Sequence, residues 1–145
     1  MRFLIQRVSR AAVHIDGKAE AEIAGGIVAL IGIARTDGTR EADYLAGKLV
    51  NLRMFPDAEG KMNLSALDVN AELLLVSQFT LYGDCRKGRR PSFDAAAPPA
   101  AARELYEYVA ARIAEKGLVT RTGVFQAHMR VELVNDGPVT FLLES

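Results

Sequence analysis

The apolar positions of the chain alternate at first and later recur at helical spacing. Phe3, Ile5 and Arg7 alternate with Leu4, Gln6 and Val8, the period-two pattern of a strand. Residues 11–15 make a second strand candidate, closed by the turn signal Asp16-Gly17. Gly25-Gly26 introduces the apolar run 27–33, which reads as a buried strand bounded by Thr36-Asp37-Gly38. From Thr39 the period changes. Ala42, Leu45, Ala46, Leu49 and Leu52 fall on one face of a helix. Gly47 inside that helix costs about 1 kcal/mol relative to alanine and predicts close packing there. Residues 56–60 are a turn, and Leu73-Leu74-Leu75-Val76 within 72–77 is the strongest central-strand signal. A second helix is expected over 99–116. Pro99 lies in its first turn, Leu105, Val109 and Ile113 form its stripe, and Gly117 ends it. Three strand-like pieces follow at 119–124, 129–134 and 139–143, the last two joined by Asn135-Asp136-Gly137-Pro138. The order strands, helix, strand, helix, strands predicts an α/β protein: a single mixed, sheet-dominated domain over 1–145 with two covering helices.

Composition narrows the chemistry. At 145 residues the chain buries enough surface to fold without disulfide or metal. Cys85 is the only cysteine, which excludes an internal disulfide, and with two histidines it makes a structural zinc site improbable. Eighteen basic residues balance eighteen acidic ones, so a polyanion needs a local patch to bind. No apolar stretch is long enough for a transmembrane helix or a secretory core, so a cytoplasmic protein without membrane partners is expected. No Ser-His-Asp order, Walker loop, GxGxxG or HExxH is present.

Four places remain where chemistry could sit. The central strand gives way to Ser77-Gln78-Phe79-Thr80-Leu81-Tyr82-Gly83-Asp84. Polar groups at the C-terminal edge of such a strand either end it or hold a ligand. Backbone N–H groups there, with Ser77 and Gln78, suit an oxyanion or a substrate carbonyl. Asn135-Asp136-Gly137-Pro138-Val139-Thr140 reads as a hairpin turn, or, with Pro138 cis, as a rigid pair of exposed carbonyls. Arg86, Lys87, Arg89 and Arg90 form either a solvated loop or a phosphate contact. Cys85 beside Arg86 and Lys87 is a candidate thiolate set against a bland loop cysteine. His14 and His128 read as ordinary surface or strand histidines rather than bases.

Taken together, these segments resemble the D-aminoacyl-tRNA deacylases, the D-Tyr-tRNA deacylase family. The resemblance spans the chain: Gln6-Arg7-Val8, Arg53-Met54-Phe55, Lys61-Met62-Asn63, Ser77–Asp84, Lys87-Gly88-Arg89-Arg90-Pro91-Ser92-Phe93 and Asn135–Thr140. It implies the deacylase-like fold and a homodimer that hydrolyses the ester of D-aminoacyl-tRNA, with Gly-tRNA as a second substrate, in translation quality control. Its partners would be the aminoacyl-tRNA 3′ end and a second copy, with no DNA. It implies neither cofactor nor metal. It assigns catalysis to Ser77, Gln78, Phe79 and Thr80. It assigns chiral selection to a cis Gly137-Pro138 inserted into the partner subunit and held by Arg7, and the terminal adenosine to Phe125 and Met129. Arg86, Lys87, Arg89 and Arg90 would contact tRNA phosphates. Gln126 and His128 depart from the family's usual small and acidic residues. With no base evident in either motif, attack by a water aided by the tRNA 2′-hydroxyl is the expected route. Thr80 as a nucleophile, a thiol hydrolase at Cys85, a non-catalytic tRNA-binding module and a relaxed deacylase with trans Gly-Pro are the rivals.

Overall fold

The computed structural model of the chain describes residues 1–145. Its architecture is mixed α/β and sheet-dominated, with two helices. The chain order is β1 (Arg2–Ile15), β2 (Lys18–Ile23), β3 (Gly26–Gly32), α1 (Thr39–Asn51), β4 (Phe55–Pro56), β5 (Met62–Leu64) and β6 (Glu72–Ser77). A 3₁₀ turn (Phe79–Tyr82), α2 (Pro99–Ala114), β7 (Thr120–Thr122) and β8 (Arg130–Glu144) complete it. The main sheet has six strands in the order β2-β1-β3-β6-β7, with β8 on the other edge of β1. β1 is its spine: the first half pairs antiparallel with β3, the second half with β2, and nearly the whole length with β8. β3, β6 and β7 run parallel.

Strand alternation sorts side chains into two cores. Phe3, Ile5, Ile27, Ile31, Leu73 and Leu75 enter the larger one with α1 and α2. Leu74 and Val76 point the other way and meet Val8, Ala11, Val13 and Val28. Burial on both faces is why β6 reads as an unbroken apolar run. β1 feeds both cores because it bulges. Opposite β8, Val8 faces Asn135 and Arg10 faces Val134, which leaves Ser9 unpaired. One extra residue flips the strand's parity, so odd positions serve the first core before the bulge and the second core after it. Each fully buried Leu, Ile or Phe contributes about 1.5–3 kcal/mol of transfer free energy.

α1 buries the expected stripe Ala42, Leu45, Ala46 and Leu49, together with Val50. The Glu41 carboxylate accepts the Gly38 N–H at 2.9 Å and closes its first turn. α2 starts at Pro99. Its buried side chains are Tyr106, Val109 and Ile113; Tyr106 replaces Leu105 because its hydroxyl can donate to the Leu75 carbonyl at 2.8 Å.

Several expectations are corrected. Residues 3–8 and 11–15 are one strand, not two, because a bulge rather than a turn separates them. β2 pairs with the end of β1, and its alternation of small and charged residues hides it from a hydrophobic reading. Leu52 is the C-cap of α1, not part of its stripe. Gly47 is not required by close packing; a Cβ there meets no atom within 4 Å, and its carbonyl accepts from the Asn51 side-chain amide. The pieces 129–134 and 139–143 are not a hairpin but a single strand, β8, because both pair with β1. The 119–124 piece keeps only three strand residues. The central strand stops at Ser77, and the residues after it coil into the 3₁₀ turn.

Candidate active site

Ser77 closes β6 opposite Ile31 of β3, and the Gln78 N–H donates to the Ile31 carbonyl at 2.8 Å. The chain then coils because Gly32 lets it come close. A Cβ on Gly32 would lie 3.0 Å from Leu81 Cβ, 3.2 Å from the Gln78 carbonyl and 3.3 Å from the Tyr82 ring. Inside the turn, Leu81 N–H donates to Gln78 O at 3.2 Å and Gly83 N–H to Thr80 O at 2.9 Å. Phe79 and Thr80 open the turn, which offers their own N–H groups no acceptor. Two adjacent backbone donors are thus left without a partner in the chain, on two exposed residues. The Gln78 side-chain amide donates to Thr80 Oγ1 and links the two across the entrance. An amide is not a base, so this contact cannot make the threonine hydroxyl a nucleophile.

A basic hairpin is closed onto the same turn. Asp84 and Ser92 exchange backbone hydrogen bonds of 2.7 and 3.0 Å, and residues 85–91 loop out between them. The Phe93 ring meets the Phe79 ring edge-on, centroids 4.9 Å apart. The four cations are not equivalent. Arg86 donates to Asp84 through Nη2 at 2.6 Å and Nε at 2.9 Å. These side-chain hydrogen bonds, with the Arg86 backbone N–H, hold the Asp84 carboxyl well below the usual carboxylate range. Lys87, Arg89 and Arg90 are exposed and pair with no carboxylate. Cys85 is exposed in the same loop.

The second sequence motif lies elsewhere. Thr140 pairs with Gln6 and Asn135 with Val8, so residues 136–139 bulge from β8 opposite Arg7 alone. The Gly137-Pro138 peptide is cis, and Gly137 has φ +126°. Asn135 organises the bulge: its Oδ1 accepts the Val139 N–H and its Nδ2 donates to Thr140 Oγ1, both at 2.9 Å. Arg7, only 11% exposed, forms an ion pair with Asp136 at 3.0 Å that lacks hydrogen-bond alignment. Its Nη1 donates to the Met54 carbonyl at 2.7 Å, which ties the bulge to the loop after α1. Gly137 and Pro138 themselves are exposed.

The two motifs do not meet within one chain. The bulge is level with Ile27 of β3 and hence with Leu73 of β6, four residues before Ser77. Four residues along β6 and three strand spacings across the sheet put them roughly 20 Å apart.

Phe125 and Met129 stand on the loop between β7 and β8, which is fastened to β6. Gly123 N–H donates to the Leu75 carbonyl at 2.8 Å. Phe125 is half-buried against Tyr106 at 6.1 Å, with the Arg103 guanidinium 5.0 Å from its ring centroid. Burial pushes the Tyr106 hydroxyl up, so it stays protonated. A Cβ on Gly123 would meet Met129 Sδ at 2.8 Å, so that glycine seats the methionine. Gln126 takes a left-handed φ of +64°, and both it and His128 are exposed. His14 lies on β1 with Nε2 3.7 Å from Glu132, in an open groove with Arg10, Glu22 and Arg121. No helix is long and apolar enough to cross a membrane.

Sequence reasoning missed Gly32, Phe93 and Arg2. Gly32 carried a signal as a glycine inside an apolar run. Phe93 entered only as the end of a segment carrying the resemblance, and Arg2 carried no signal, because their contacts are with residues distant in sequence.

The class these features define is a sheet-dominated α/β protein with backbone donors at the end of a central parallel strand. The family model described as D-Tyr-tRNA(Tyr) deacylase matches residues 4–144, and the chain belongs to that family. The D-aminoacyl-tRNA deacylase of Geotalea uraniireducens (strain Rf4) is 59% identical over 145 residues, which is 100% of this chain and 94% of the relative. That of Koribacter versatilis (strain Ellin345) is also 59% identical, covering 100% of this chain and 97% of the relative. Among solved structures, one described as c-Myc DNA Unwinding Element Binding Protein superposes with a TM-score of 0.94 at 38% identity, covering 100% of this chain and 99% of its own. A probable eukaryotic D-amino acid tRNA deacylase superposes with a TM-score of 0.85 at 16% identity over 99% of this chain and 98% of its own, a likeness of fold.

Proposed function

We propose that the protein, taken as one deacylase domain over 1–145, hydrolyses the ester of D-aminoacyl-tRNA in the cytoplasm and acts also on Gly-tRNA. The observation that carries this reading is the pair of unpartnered N–H groups on the exposed residues Phe79 and Thr80, with a basic hairpin closed onto the same turn. An aminoacyl ester is already reactive, so positioning and charge stabilisation suffice. The two N–H groups stabilise the oxyanion that develops on the ester carbonyl. Ser77 and Gln78 orient the turn and the substrate, and Lys87, Arg89 and Arg90 contact the tRNA phosphates. A water attacks the carbonyl carbon, and as the ester bond to the ribose oxygen breaks, the water's proton is relayed through the neighbouring tRNA 2′-hydroxyl to that leaving oxygen. Phe125 and Met129 take the terminal adenosine.

Chiral selection belongs to Gly137-Pro138, supplied by a second copy of the chain. The separation of roughly 20 Å within one protomer supports a contribution in trans. So does β8, a long free edge exposing Val131, Val134, Phe141 and Leu142. The Gly137 and Pro138 carbonyls receive the substrate ammonium and leave no space for an L side chain. Glycine has none, so it passes. Exclusion by fixed backbone exceeds the ~1–3 kcal/mol that one methylene provides in a pocket.

The test is hydrolysis of D-Tyr-tRNA, L-Tyr-tRNA and Gly-tRNA, with and without a thiol-blocking reagent. D-Tyr-tRNA and Gly-tRNA are cleaved, L-Tyr-tRNA is spared, and blocking Cys85 changes nothing. Equal rates on D and L esters overturn the chiral reading, and inactivation by the reagent overturns the backbone-donor mechanism.

A further inference from the structure

We propose that Arg2 is a positioning residue for the reaction, holding the far end of the 3₁₀ turn whose near end presents the Phe79 and Thr80 N–H groups. The inference rests on the proposed oxyanion role of that turn for its catalytic half and on geometry alone for its structural half.

Arg2 is the first residue of β1, and its side chain reaches from the sheet to the turn. Its Nη1 donates to the Leu81 carbonyl at 2.9 Å. Its Nε donates to Glu144 Oε1 at 2.7 Å, and the guanidinium carbon lies 4.7 Å from the Tyr82 ring centroid. The guanidinium therefore has one fork on the turn, one on the end of β8 and one face on an aromatic ring. Lysine cannot reproduce this, because its ammonium is a point charge without a planar fork.

The carbonyl that Arg2 holds matters. Carbonyls at the C-terminal end of a helical turn have no acceptor role within it, whereas the N–H groups at its start have no donor role within it. The two ends point opposite ways. A cation fixed on the Leu81 carbonyl restrains the turn from behind and leaves the Phe79 and Thr80 N–H groups free at the other end. Beyond the flanking backbone bonds of Gln78 and Asp84, the other restraints are contact surfaces: Gly32 beneath, and Phe93 against Phe79 and Gly83. Arg2 supplies the one side-chain hydrogen bond to the turn's backbone from outside it. Tyr82 belongs to the same cluster. Burial first, then the Asp37 charge, pushes its hydroxyl up to about 12. The ring is therefore neutral at working pH and presents its face to the cation.

Arg2 and Glu144 are both well exposed, and such pairs add little measurable stability. Loss of Arg2 should therefore loosen the turn without unfolding the protein. The experiment compares wild type, Arg2→Met and Arg2→Lys by amide hydrogen exchange and by steady-state hydrolysis of D-Tyr-tRNA. In Arg2→Met, exchange at Leu81, Tyr82 and Gly83 rises at least tenfold, while amides of β3 and β6 and the melting temperature stay put. kcat falls about tenfold with KM within twofold, because a misplaced oxyanion donor acts on the transition state. Arg2→Lys recovers part of both effects. Unchanged exchange at residues 81–83 overturns the proposal whatever the activity. So does increased exchange with unchanged kcat, or an equal rise across the whole sheet. If the wild type does not cleave D-Tyr-tRNA, the deacylase reading falls, and the catalytic half of this proposal with it, while the exchange data still decide whether Arg2 holds the turn.

Discussion

The turn after β6 and the bulge in β8 are both polar interruptions of apolar strands, but they are built in opposite ways. The turn, Phe79–Tyr82, is seated on glycine and aromatic surfaces, with Arg2 on one carbonyl, and leaves N–H donors unpartnered at its start. The bulge at 136–139 is braced by side chains, Arg7 from one direction and Asn135 from the other, and in the proposed mechanism offers carbonyls. Donors suit an oxyanion and carbonyls suit an ammonium, so an amino acid ester would be held at both ends by main chain. Main-chain recognition has a cost in sequence tolerance. A side chain that fails can often relax, whereas a glycine that must leave room cannot be replaced. The difference between the two regions therefore shows most sharply at their glycines.

Gly137 should give the largest effect. Its φ of +126° is one that L side chains rarely adopt. A Cβ there would also lie 2.7 Å from Val139 Cγ2, 3.0 Å from the Val139 nitrogen and 3.1 Å from Arg7 Nη2. The Gly137→Ala chain must move the bulge, at a strain of about 1–3 kcal/mol. A displacement of about 1 Å at a positioning element can cost ~100-fold in rate. We expect kcat/KM on D-Tyr-tRNA to fall at least ~100-fold and the D-over-L preference to shrink with it. The melting temperature should drop by only a few degrees. Wild-type discrimination in this variant would remove the bulge from chiral selection.

Gly32→Ala probes the other region and should be milder. Its Cβ meets Leu81, the Gln78 carbonyl and the Tyr82 ring at 3.0–3.3 Å, so the turn must yield by a few tenths of an ångström. We expect about a tenfold loss in kcat from misaimed donors, with the D-over-L ratio unchanged. If the ratio falls in parallel with kcat, the two regions do not have separate roles.

How much of this was legible beforehand follows from the same contrast. Elements buried in the core announced themselves: β3 and β6 by apolar runs, α1 by its stripe. The polar residues 77–80 and 135–140 stood out because each breaks an apolar pattern. What periodicity could not reveal was pairing. Asn135-Asp136-Gly137-Pro138 has the chemistry of a hairpin turn. Only the register with β1 shows the chain continuing past it in the same strand. Residues 79–82 are likewise too few to carry a period, so their coil emerged only against Gly32 and Phe93. By residue type and place on one strand Arg2 and Arg7 are alike, and only the resemblance sets Arg7 apart, yet one reaches the turn and the other the bulge. Contacts between distant residues decided both.

The smallest expected effect concerns the basic hairpin, where composition treats four cations alike and geometry does not. Arg86 is matched by Asp84, whereas Lys87, Arg89 and Arg90 are free for phosphate. Replacing any of the latter three by alanine should weaken tRNA binding and reduce the slope of log K against log salt by about 0.7–0.9. Arg86→Ala should change the slope far less, and Asp84→Asn should raise it by freeing Arg86. The pH dependence has a definite sign. Asp84 has a depressed folded pKa, set mainly by the Arg86 side-chain hydrogen bonds. Its contribution is therefore complete above the unfolded value near ~3.9 and is lost only as pH falls through the lower folded one. The latch stays closed across the whole neutral range, and the Arg86 slope should be the same at pH 6 and pH 8. Filter binding of tRNA over a salt series checks this. Equal slopes for all four alanine variants would mean that the Asp84 pair opens when tRNA arrives. The hairpin would then bind as a block of four charges rather than three.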